Sequence, residues 1–348
     1  FVLLVGDAAQ VPSSYSNGDS DVNYSYVVGN DHYPDLFVGR FSAENEDHVL
    51  TQVQRTIDYE RYPNEAETDW YTKCMSVGSQ EGPGDNGEYD YQHLRNISDN
   101  KLIPFTYDYV YEFFEGNQGG NDGPGWPNAA EVGVAIDEGA SVINYTGHGS
   151  STSWGTSGYS NSNINQLTNT GKLPFIISVA CVNGNFVNRL FFAESWLRAE
   201  NNGEPTGAVV TIMSTINQSW NPPMRGQDEM ADILTEADEN NIKRTFGGIT
   251  MNGCMGMNDA YGSQGDEMTD NQDEQHLRLL SIFHYVLGAV FAFFSCFPVL
   301  YLAIGIIGLA EWETLEDEMT RFVCVMLTII PTAIILVGWT FAISMFSV

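Results

Sequence analysis

Through most of the chain, apolar residues alternate between two spacings. Short continuous apolar runs are typical of buried strands, whereas apolar residues that recur every three or four positions are typical of helices. The runs that predict strands lie at residues 1–5, 75–77, 142–145, 175–179 and 207–213. The runs that predict helices lie at residues 49–57, 129–138, 187–199, 230–234 and 250–258. This alternation predicts an α/β fold, with a doubly wound, mostly parallel sheet and flanking helices.

The pattern changes at about residue 266. A polar stretch at 266–280 precedes two almost uncharged apolar runs, at 281–310 and 322–348. Each run exceeds the roughly 20 residues that a helix needs to cross a bilayer. We therefore expect a domain at 1–265, a polar linker at 266–280 and a transmembrane hairpin of two helices at 281–348. A gene fusion or an assembly join would also explain so abrupt a change, and both explanations stay open.

Composition narrows the class of protein. The 348 residues carry a net charge of -31, with a sequence pI near 4.2, which argues against non-specific binding of nucleic acid. An acidic protein that works outside the cytosol fits these values. The five cysteines have no CxxC spacing, so neither a zinc site nor a disulfide framework is indicated. Because the chain begins inside an apparent strand, we expect it to be truncated, and the lack of a signal peptide says nothing about compartment.

Two residues that can carry chemistry follow two of the predicted strands. The strand at 175–179 leads to Cys181, and the strand at 142–145 leads to His148, which has a glycine on each side. Parallel strands end at the same edge of a sheet, where reactive groups of α/β proteins are found. An imidazole beside a thiol lowers the thiol pKa and carries a proton to the leaving group. Taken alone, Cys181 is more simply interpreted as a buried structural cysteine, and His148 as a histidine in a turn. Their joint placement at two strand ends favours a catalytic pair.

Several sequence blocks carry a resemblance to a known family. The main blocks are NYTGHGS, LPFIISVACVNG, STINQSW and MRGQDEM, and further ones are LLVGD, VVGNDHYPDLFVGRFS, QVQRTIDYER, DNGEYDYQH and NNIKRTFGGITMNG. In this order they resemble the catalytic domain of the gingipains, caspase-like cysteine endopeptidases, and above all the arginine-specific branch. The resemblance runs from residue 1 to about residue 257 and implies a caspase-like fold.

The resemblance also implies roles for individual residues. Cys181 matches the nucleophile, His148 the catalytic histidine, and Glu81 the acidic residue that orients this histidine. Asp90 matches the carboxylate at the base of the specificity pocket, and the pocket walls match Trp220 and Met224. A buried carboxylate can hold an arginine guanidinium in a bidentate pair, and an indole offers a flat wall for it to stack upon. The backbone N–H groups of Gly149 and Cys181 could supply an oxyanion hole.

The implied function is hydrolysis of protein or peptide substrates after arginine. The chemistry requires no cofactor, no nucleic acid is involved, and the location would be secreted or at the cell surface, with membrane anchoring only through the hairpin. The family resemblance also suggests a structural calcium ion. The loop GNDHYPD is the candidate for it, although no spacing resembles an EF-hand and no metal ligand is assigned.

Two alternatives stay open at this point. One is an inactive relative that serves as a binding module. The other is a membrane protein that carries a peptidase fragment, in which case residues 281–348 alone would account for membrane partition.

Overall fold

The computed structural model describes residues 2–15, 17–121, 124–187, 190–274, 298–310, 317, 319–320, 322–332 and 335. The chain divides into two compact units, Phe1–Leu277 and Arg278–Val348. The strands of the first unit are β1 (Val2–Val5), β2 (Ser14–Tyr15), β3 (Asp19–Ser20), β4 (Val38–Phe41), β5 (Lys73–Gly78), β6 (Tyr109–Phe114), β7 (Val142–Thr146), β8 (Gly149–Ser150), β9 (Ser153–Trp154), β10 (Phe175–Val179), β11 (Glu200–Asn201), β12 (Glu204–Pro205), β13 (Val210–Ser214) and β14 (Gln272–Glu274).

The helices connect these strands. In the first unit they are α1 (Glu46–Arg61), α2 (Asp90–Ile97), α3 (Ile103–Phe105), α4 (Ala129–Glu138), α5 (Asn161–Ile164), α6 (Phe192–Arg198), α7 (Asn221–Leu234), α8 (Phe246–Tyr261) and α9 (Ser263–Thr269). Short 3-10 turns lie at Val22–Ser25, Asp69–Thr72 and Asp85–Gly87, and a π turn at Ser98–Leu102 follows α2. In the second unit the structure describes α10 (Pro298–Ala310) and a helical segment at 322–332.

A six-stranded sheet in the order β14-β13-β10-β7-β5-β6 organises the first unit. Its strands are parallel except for β14, which pairs with β13 in the antiparallel direction. The chain passes from β5 to one neighbour, β6, and then returns to build β7, β10 and β13 on the other side. The order therefore reverses at β5, as in doubly wound folds. The prediction of a mostly parallel α/β sheet with helices is confirmed.

Side chains alternate between the two faces of this sheet, as the two-residue repeat of a strand requires. On one face, Ile143 and Ile176 pack in a core with residues of α4 and α6, including Ile136 and Trp196. On the other face, Phe175 and its neighbours pack against α7 and α8, while another cluster lies over α2. Because both faces are covered, nearly every residue of the central strands is buried and many are apolar, which is why the sequence shows them as apolar runs.

The strand predicted at residues 1–5 lies outside the central sheet. β1 does not join the central sheet; it pairs in parallel with β4, with Val2 opposite Val38 and Val5 opposite Phe41. A continuous apolar run indicates a buried strand but contains no information about which strand it pairs with.

The expected linker at 266–280 is wrong for its first part. Residues 263–269 form α9, and residues 272–274 form β14, the edge strand of the central sheet. Met268 and Thr269 are buried, and the Thr269 hydroxyl donates a hydrogen bond to the Cys254 carbonyl oxygen of α8 (3.3 Å). Polar residues of α9 such as Gln264 and Glu267 are exposed, so the helix resembles a linker in the sequence. Residues 275–280 lie outside the described residues.

The two apolar runs at 281–310 and 322–348 fall largely outside the described residues. Within the described part, none of the helices combines the length and the apolar character that a membrane crossing requires. The predicted hairpin therefore stays a prediction.

One arginine of α1 fastens this helix to the end of α6. The Arg55 side chain is almost fully buried and donates hydrogen bonds to the carbonyl oxygens of Leu197, Ala199 (3.1 Å) and Thr206 (2.8 Å). Burial lowers the pKa of Arg55 to about 9. The carbonyl dipoles at the end of α6 favour a cation there.

Replacing Arg55 by alanine should therefore lower the free energy of unfolding by about 3–5 kcal/mol, because several buried carbonyl groups lose their donor. Urea denaturation monitored by circular dichroism measures this change. Arg61→Ala provides the control, since Arg61 is exposed at the end of the same helix and its loss should cost no more than about 0.5 kcal/mol. Equal effects of the two substitutions would contradict this role of Arg55.

Candidate active site

The pairing of β7 with β10 brings His148 and Cys181 to the same edge of the sheet. Thr146, the last residue of β7, lies opposite Val179, the last residue of β10. His148 and Cys181 each follow two residues after these paired ends, and the Gly147 N–H donates to the Val179 carbonyl oxygen (3.1 Å). The edge location predicted for both residues is the one observed.

The turn that carries His148 is held through its backbone. The His148 carbonyl oxygen accepts hydrogen bonds from the Tyr145 hydroxyl (2.5 Å) and from the Gly155 N–H (2.7 Å). Burial raises the pKa of Tyr145 to about 12, so this hydroxyl remains a donor at neutral pH. The His148 residue itself is exposed. Its backbone is thus fixed while its imidazole faces the solvent side of the sheet edge.

A strained residue directly follows Cys181. Val182 has a φ of 50°, in the left-handed region that β-branched residues seldom adopt. Such a conformation costs about 1–3 kcal/mol and persists only where the surroundings impose it. Here the Val182 N–H donates to the Ile216 carbonyl oxygen (2.9 Å), and the Gly184 N–H donates to the Ser214 carbonyl oxygen (2.8 Å). The sharp turn ends the strand and leaves Cys181 half-buried at the edge.

The two turns touch at Gly149. A Cβ atom on Gly149 would lie 2.7 Å from the Cys181 carbonyl oxygen and 2.8 Å from the Ala180 Cβ, closer than real contacts allow. Only glycine permits this approach of the two backbones. The residues predicted to supply the oxyanion hole, Gly149 and Cys181, are therefore neighbours in space.

Asp90 lies beside this edge, at the first position of α2. It is fully buried, and its carboxylate accepts hydrogen bonds from the Ser79 hydroxyl (2.5 Å) and the Trp220 Nε1–H (2.6 Å). Burial raises the pKa of Asp90 to about 6, although Ser79, Trp220 and His93 each favour the ionised form. A carboxylate holds about four acceptor positions, so two hydrogen bonds leave capacity for a ligand that donates.

Trp220 connects Asp90 with the histidine. While its indole nitrogen donates to Asp90, its ring lies edge-on to the His148 ring, with 5.2 Å between the ring centroids and 77° between the ring planes. Met224, one turn further along α7, is fully buried. A Cβ atom on Gly84 would lie 2.2 Å from the Met224 sulfur and 2.9 Å from the Trp220 Cδ1 atom. Gly84 thus makes room for both side chains that were expected to form the pocket walls.

Glu81 is the predicted site residue that the structure does not join to the others through its side chain. The residue is exposed, and within the described part of the chain no hydrogen bond or ion pair links its carboxylate to His148. Its backbone does take part, because the Glu81 N–H donates to the Ser79 hydroxyl (3.0 Å) and its carbonyl oxygen accepts from the Asp90 N–H (3.0 Å).

Sequence reasoning missed a buried amide that holds the strands under the site. The Gln227 side chain of α7 accepts hydrogen bonds from the Thr146 hydroxyl (2.7 Å) and bonds to the His93 imidazole (3.1 Å). Its nitrogen donates to the Asn144 side-chain oxygen (3.1 Å). The signal was present in the block MRGQDEM, where Gln227 lies three residues after Met224 and hence on the same helix face.

The loop GNDHYPD does not gather oxygen ligands for a cation. Asp35 accepts hydrogen bonds from the backbone N–H groups of Val27 (2.9 Å) and Val28 (2.8 Å), and Asp31 accepts from the Tyr33 N–H (3.1 Å). Across the described ranges, acidic, histidine and cysteine side chains form no group of three or more suited to a metal ion. We assign no metal ligand in this loop.

Comparisons with known proteins identify a peptidase family and related sequences. The profile of peptidase family C25 matches residues 1–283. Gingipain R2 of Porphyromonas gingivalis strain W83 is 47% identical over 274 residues, which cover 78% of this chain and 36% of the gingipain sequence. Lys-gingipain HG66 of the same species is 23% identical over 257 residues, covering 72% of this chain and 14% of the relative. The chain thus spans little more than a third of the first of these relatives.

Solved structures show the same fold. The crystal structure of the Arg-specific cysteine proteinase gingipain R matches with a TM-score of 0.74 and 45% identity, over 79% of this chain and 62% of the solved one. The complex of the pro- and mature domains of the Porphyromonas gingivalis proteinase RgpB matches with a TM-score of 0.73 and 45% identity, over 79% of this chain and 63% of that one. The caspase-like gingipain fold expected from the resemblance is therefore confirmed.

The buried Asp90 should make stability depend on pH. Because the folded pKa is about 6 and the model-peptide value is 3.8, the folded state keeps a proton between about pH 4 and 6 that the unfolded state has released. Stability therefore falls as pH rises through this window. Asp90→Asn should have nearly wild-type stability at pH 4 and exceed it at pH 7.5 by up to about 3 kcal/mol. Urea denaturation at several pH values tests this, and a pH-independent difference would contradict it.

Proposed function

Because the chain belongs to peptidase family C25, we propose that it is a cysteine endopeptidase that hydrolyses proteins after arginine, with Cys181 as the nucleophile and His148 as the proton carrier. The observation that carries the proposal is the position of Trp220. This one side chain donates to the buried Asp90 carboxylate (2.6 Å) and faces the His148 ring. These contacts support a proposal in which an acidic pocket at Asp90 adjoins the Cys–His edge, as cleavage next to a cationic side chain requires.

In the proposal, Asp90 binds the guanidinium group of the substrate. Charge-assisted hydrogen bonds between arginine and a carboxylate are about twice as strong as neutral ones, and the fork of the guanidinium can engage both oxygens. Trp220 and Met224 form the walls, with the indole available for stacking. Since Asp90 carries negative charge only above a pKa of about 6, binding of arginine should weaken in more acidic solution.

The first half of the reaction forms an acyl-enzyme. The Cys181 thiolate attacks the backbone carbonyl carbon of the bound arginine, and a carbon–sulfur bond forms while the carbonyl oxygen takes the negative charge. The backbone N–H groups of Gly149 and Cys181 stabilise this oxyanion. The His148 imidazolium then donates its proton to the leaving nitrogen, the carbon–nitrogen bond breaks, and the C-terminal product departs as an amine.

The second half releases the N-terminal product. Neutral His148 takes a proton from a water molecule, whose oxygen attacks the thioester carbon. The carbon–sulfur bond breaks, Cys181 leaves as a thiolate beside the imidazolium, and the product carries arginine at its new C-terminus. Glu81 would orient His148 only if its exposed side chain turns toward the imidazole, and we keep that role as part of the proposal.

The proposed mechanism also bears on the cofactors, substrates and location of the protein. Thiol–imidazole catalysis needs no cofactor, and the substrates are proteins or peptides with an accessible arginine. We propose a secreted or cell-surface location, in keeping with the acidic composition and the similarity to gingipains. Attachment to a membrane would depend on residues 281–348, and calcium would act on structure only.

Replacing Cys181 by alanine should lower the turnover of an arginyl peptide on the order of 10⁴-fold or more while the folded structure persists, because no other group can form the thioester. Cleavage of a fluorogenic peptide and the circular dichroism spectrum measure the two effects. Cys254→Ala is the control, since this cysteine lies buried in α8, and its activity should stay within a few-fold of wild type. Full activity without Cys181 would contradict the assignment. A wild-type chain that neither cleaves nor reacts with a thiol-directed inhibitor would instead favour an inactive binding module.

Replacing Asp90 by asparagine should remove the preference for arginine over citrulline, its neutral isostere. We expect kcat/KM for the arginyl peptide to fall about 10²- to 10³-fold, because a charged buried hydrogen-bond pair is lost, while cleavage of the citrullyl peptide changes little. Asp85→Asn is the matched control, because Asp85 is also buried, lies in the same segment and accepts a hydrogen bond from the Tyr261 hydroxyl (2.5 Å). An equal loss in both variants would argue against Asp90 as the specificity residue.

A further inference from the structure

The side chain of Asn183 joins the turn after Cys181 to the segment after His148. Its Nδ2 group donates hydrogen bonds to the carbonyl oxygens of Ser150 (2.6 Å) and Ser153 (3.1 Å). These two residues pair with each other in the β8–β9 hairpin, which begins at the residue after His148. Asn183 itself follows Cys181 by two positions and is fully buried. One primary amide thus connects the two segments that carry the proposed catalytic pair.

The chemistry of the contacts determines how this amide is oriented. Backbone carbonyl oxygens only accept, so the amide nitrogen must face Ser150 and Ser153, and both of its hydrogens are used there. The amide oxygen accepts from the Ser178 hydroxyl (3.1 Å), and that hydroxyl in turn accepts from the Trp154 indole N–H (3.0 Å). Each hydrogen bond in this series, from Trp154 through Ser178 to Asn183, has a defined donor. The Asn183 amide therefore cannot rotate without leaving buried polar groups unpaired.

The same chain of contacts reaches His148 from a second side. The Trp154 ring stacks on the Tyr145 ring, with 4.8 Å between centroids and 5° between planes. The Tyr145 hydroxyl donates to the His148 carbonyl oxygen (2.5 Å). A Cβ atom on Gly149 would lie only 3.0 Å from the Asn183 Nδ2 atom. The backbone of the histidine turn is therefore contacted by the Tyr145 hydroxyl at His148 and approached closely by the Asn183 amide at Gly149.

From this geometry we propose that Asn183 is a positioning residue that sets the distance between the His148 imidazole and the Cys181 sulfur. It acts through the backbone of the β8–β9 hairpin and does not touch the substrate. The inference rests on the proposed function, because it requires Cys181 and His148 to work as a pair.

A change in that distance has a measurable consequence. With an effective dielectric constant of ~20, lengthening the separation of the thiolate and imidazolium charges from ~4 to ~6 Å weakens their attraction by about one pKa unit. Loss of the Asn183 contacts should therefore raise the pH at which the Cys181 thiolate forms. An asparagine with a merely structural role would leave that pH unchanged.

The experiment measures the alkylation rate of Cys181 by iodoacetamide as a function of pH in the full chain, with mass spectrometry of the Cys181 peptide as the readout. The inflection of the wild-type chain is the reference against which the variants are compared. Asn183→Asp, which places oxygen against the two carbonyl groups, and Asn183→Ala should each raise the inflection by about one pH unit. For an arginyl peptide, kcat should fall about 10- to 100-fold, with KM changing less than about twofold, because the Asp90 pocket is untouched.

Asn169 provides a matched control. It is equally buried, its Nδ2 group donates to the carbonyl oxygens of Lys172 (2.9 Å) and Gly207 (2.8 Å), and its Oδ1 atom accepts from the Gly207 N–H (2.8 Å). It lies before β10, at the opposite end of the strand from Cys181. Asn169→Ala should lower the melting temperature about as much as Asn183→Ala does, while the alkylation inflection and kcat stay at their wild-type values.

Three results distinguish the inference from the function on which it rests. Folded Asn183 variants with a wild-type inflection and wild-type kcat would overturn the inference and leave the proposed function intact. A wild-type chain whose Cys181 titrates like a free thiol and cleaves nothing would overturn the proposed function itself. If the Asn183 variants fail to fold, Ser178→Ala tests the inference instead. It removes the hydrogen bond to the Asn183 amide oxygen but keeps the two bonds that the Asn183 amide nitrogen donates. It should raise the inflection by a smaller amount, and no shift would count against the inference.

Discussion

The register between β7 and β10 is the constraint on which the site depends. With Thr146 opposite Val179, the residues two positions beyond each strand end, His148 and Cys181, leave the sheet side by side. A slip by one residue would turn the side chains of one strand to the other face of the sheet and separate the pair. The register is secured by apolar side chains packed on both faces and by Gln227, which bonds to Thr146 and Asn144 from α7.

A strained backbone residue and a buried carboxyl group lie next to the site at this edge of the sheet. Val182 adopts a left-handed conformation, and Asp90 is a carboxylate held away from water, and both cost stability. These costs are offset by neighbouring hydrogen bonds rather than removed. Strained backbone and perturbed carboxyl groups in one place are characteristic of a functional site, because a structure optimised for stability alone would avoid them.

The contacts around the site form two groups that meet at Trp220. One group, made of Asn183, Ser178, Trp154 and Tyr145, holds the cysteine and histidine turns together. The other group, made of Ser79, Asp90 and Gly84, surrounds the proposed acidic pocket and leaves space for the side chains of Trp220 and Met224. Trp220 contacts the His148 ring and donates to Asp90, so a single side chain links the proposed pocket to the proposed catalytic histidine.

Local patterns in the sequence predicted the main strands of the central sheet and singled out the candidate reactive residues. Apolar runs identified β5, β7, β10 and β13, since strands buried on both faces are rich in apolar residues. Strand ends and flanking glycines pointed to Cys181 and His148, and the family resemblance added Asp90, Trp220 and Met224. Only the tertiary structure decided that β1 pairs outside the central sheet, that residues 272–274 close its edge, and that Asn183 and Gln227 hold the site. These depend on contacts between distant parts of the chain, and a buried amide has no periodic pattern that would reveal its partners in advance.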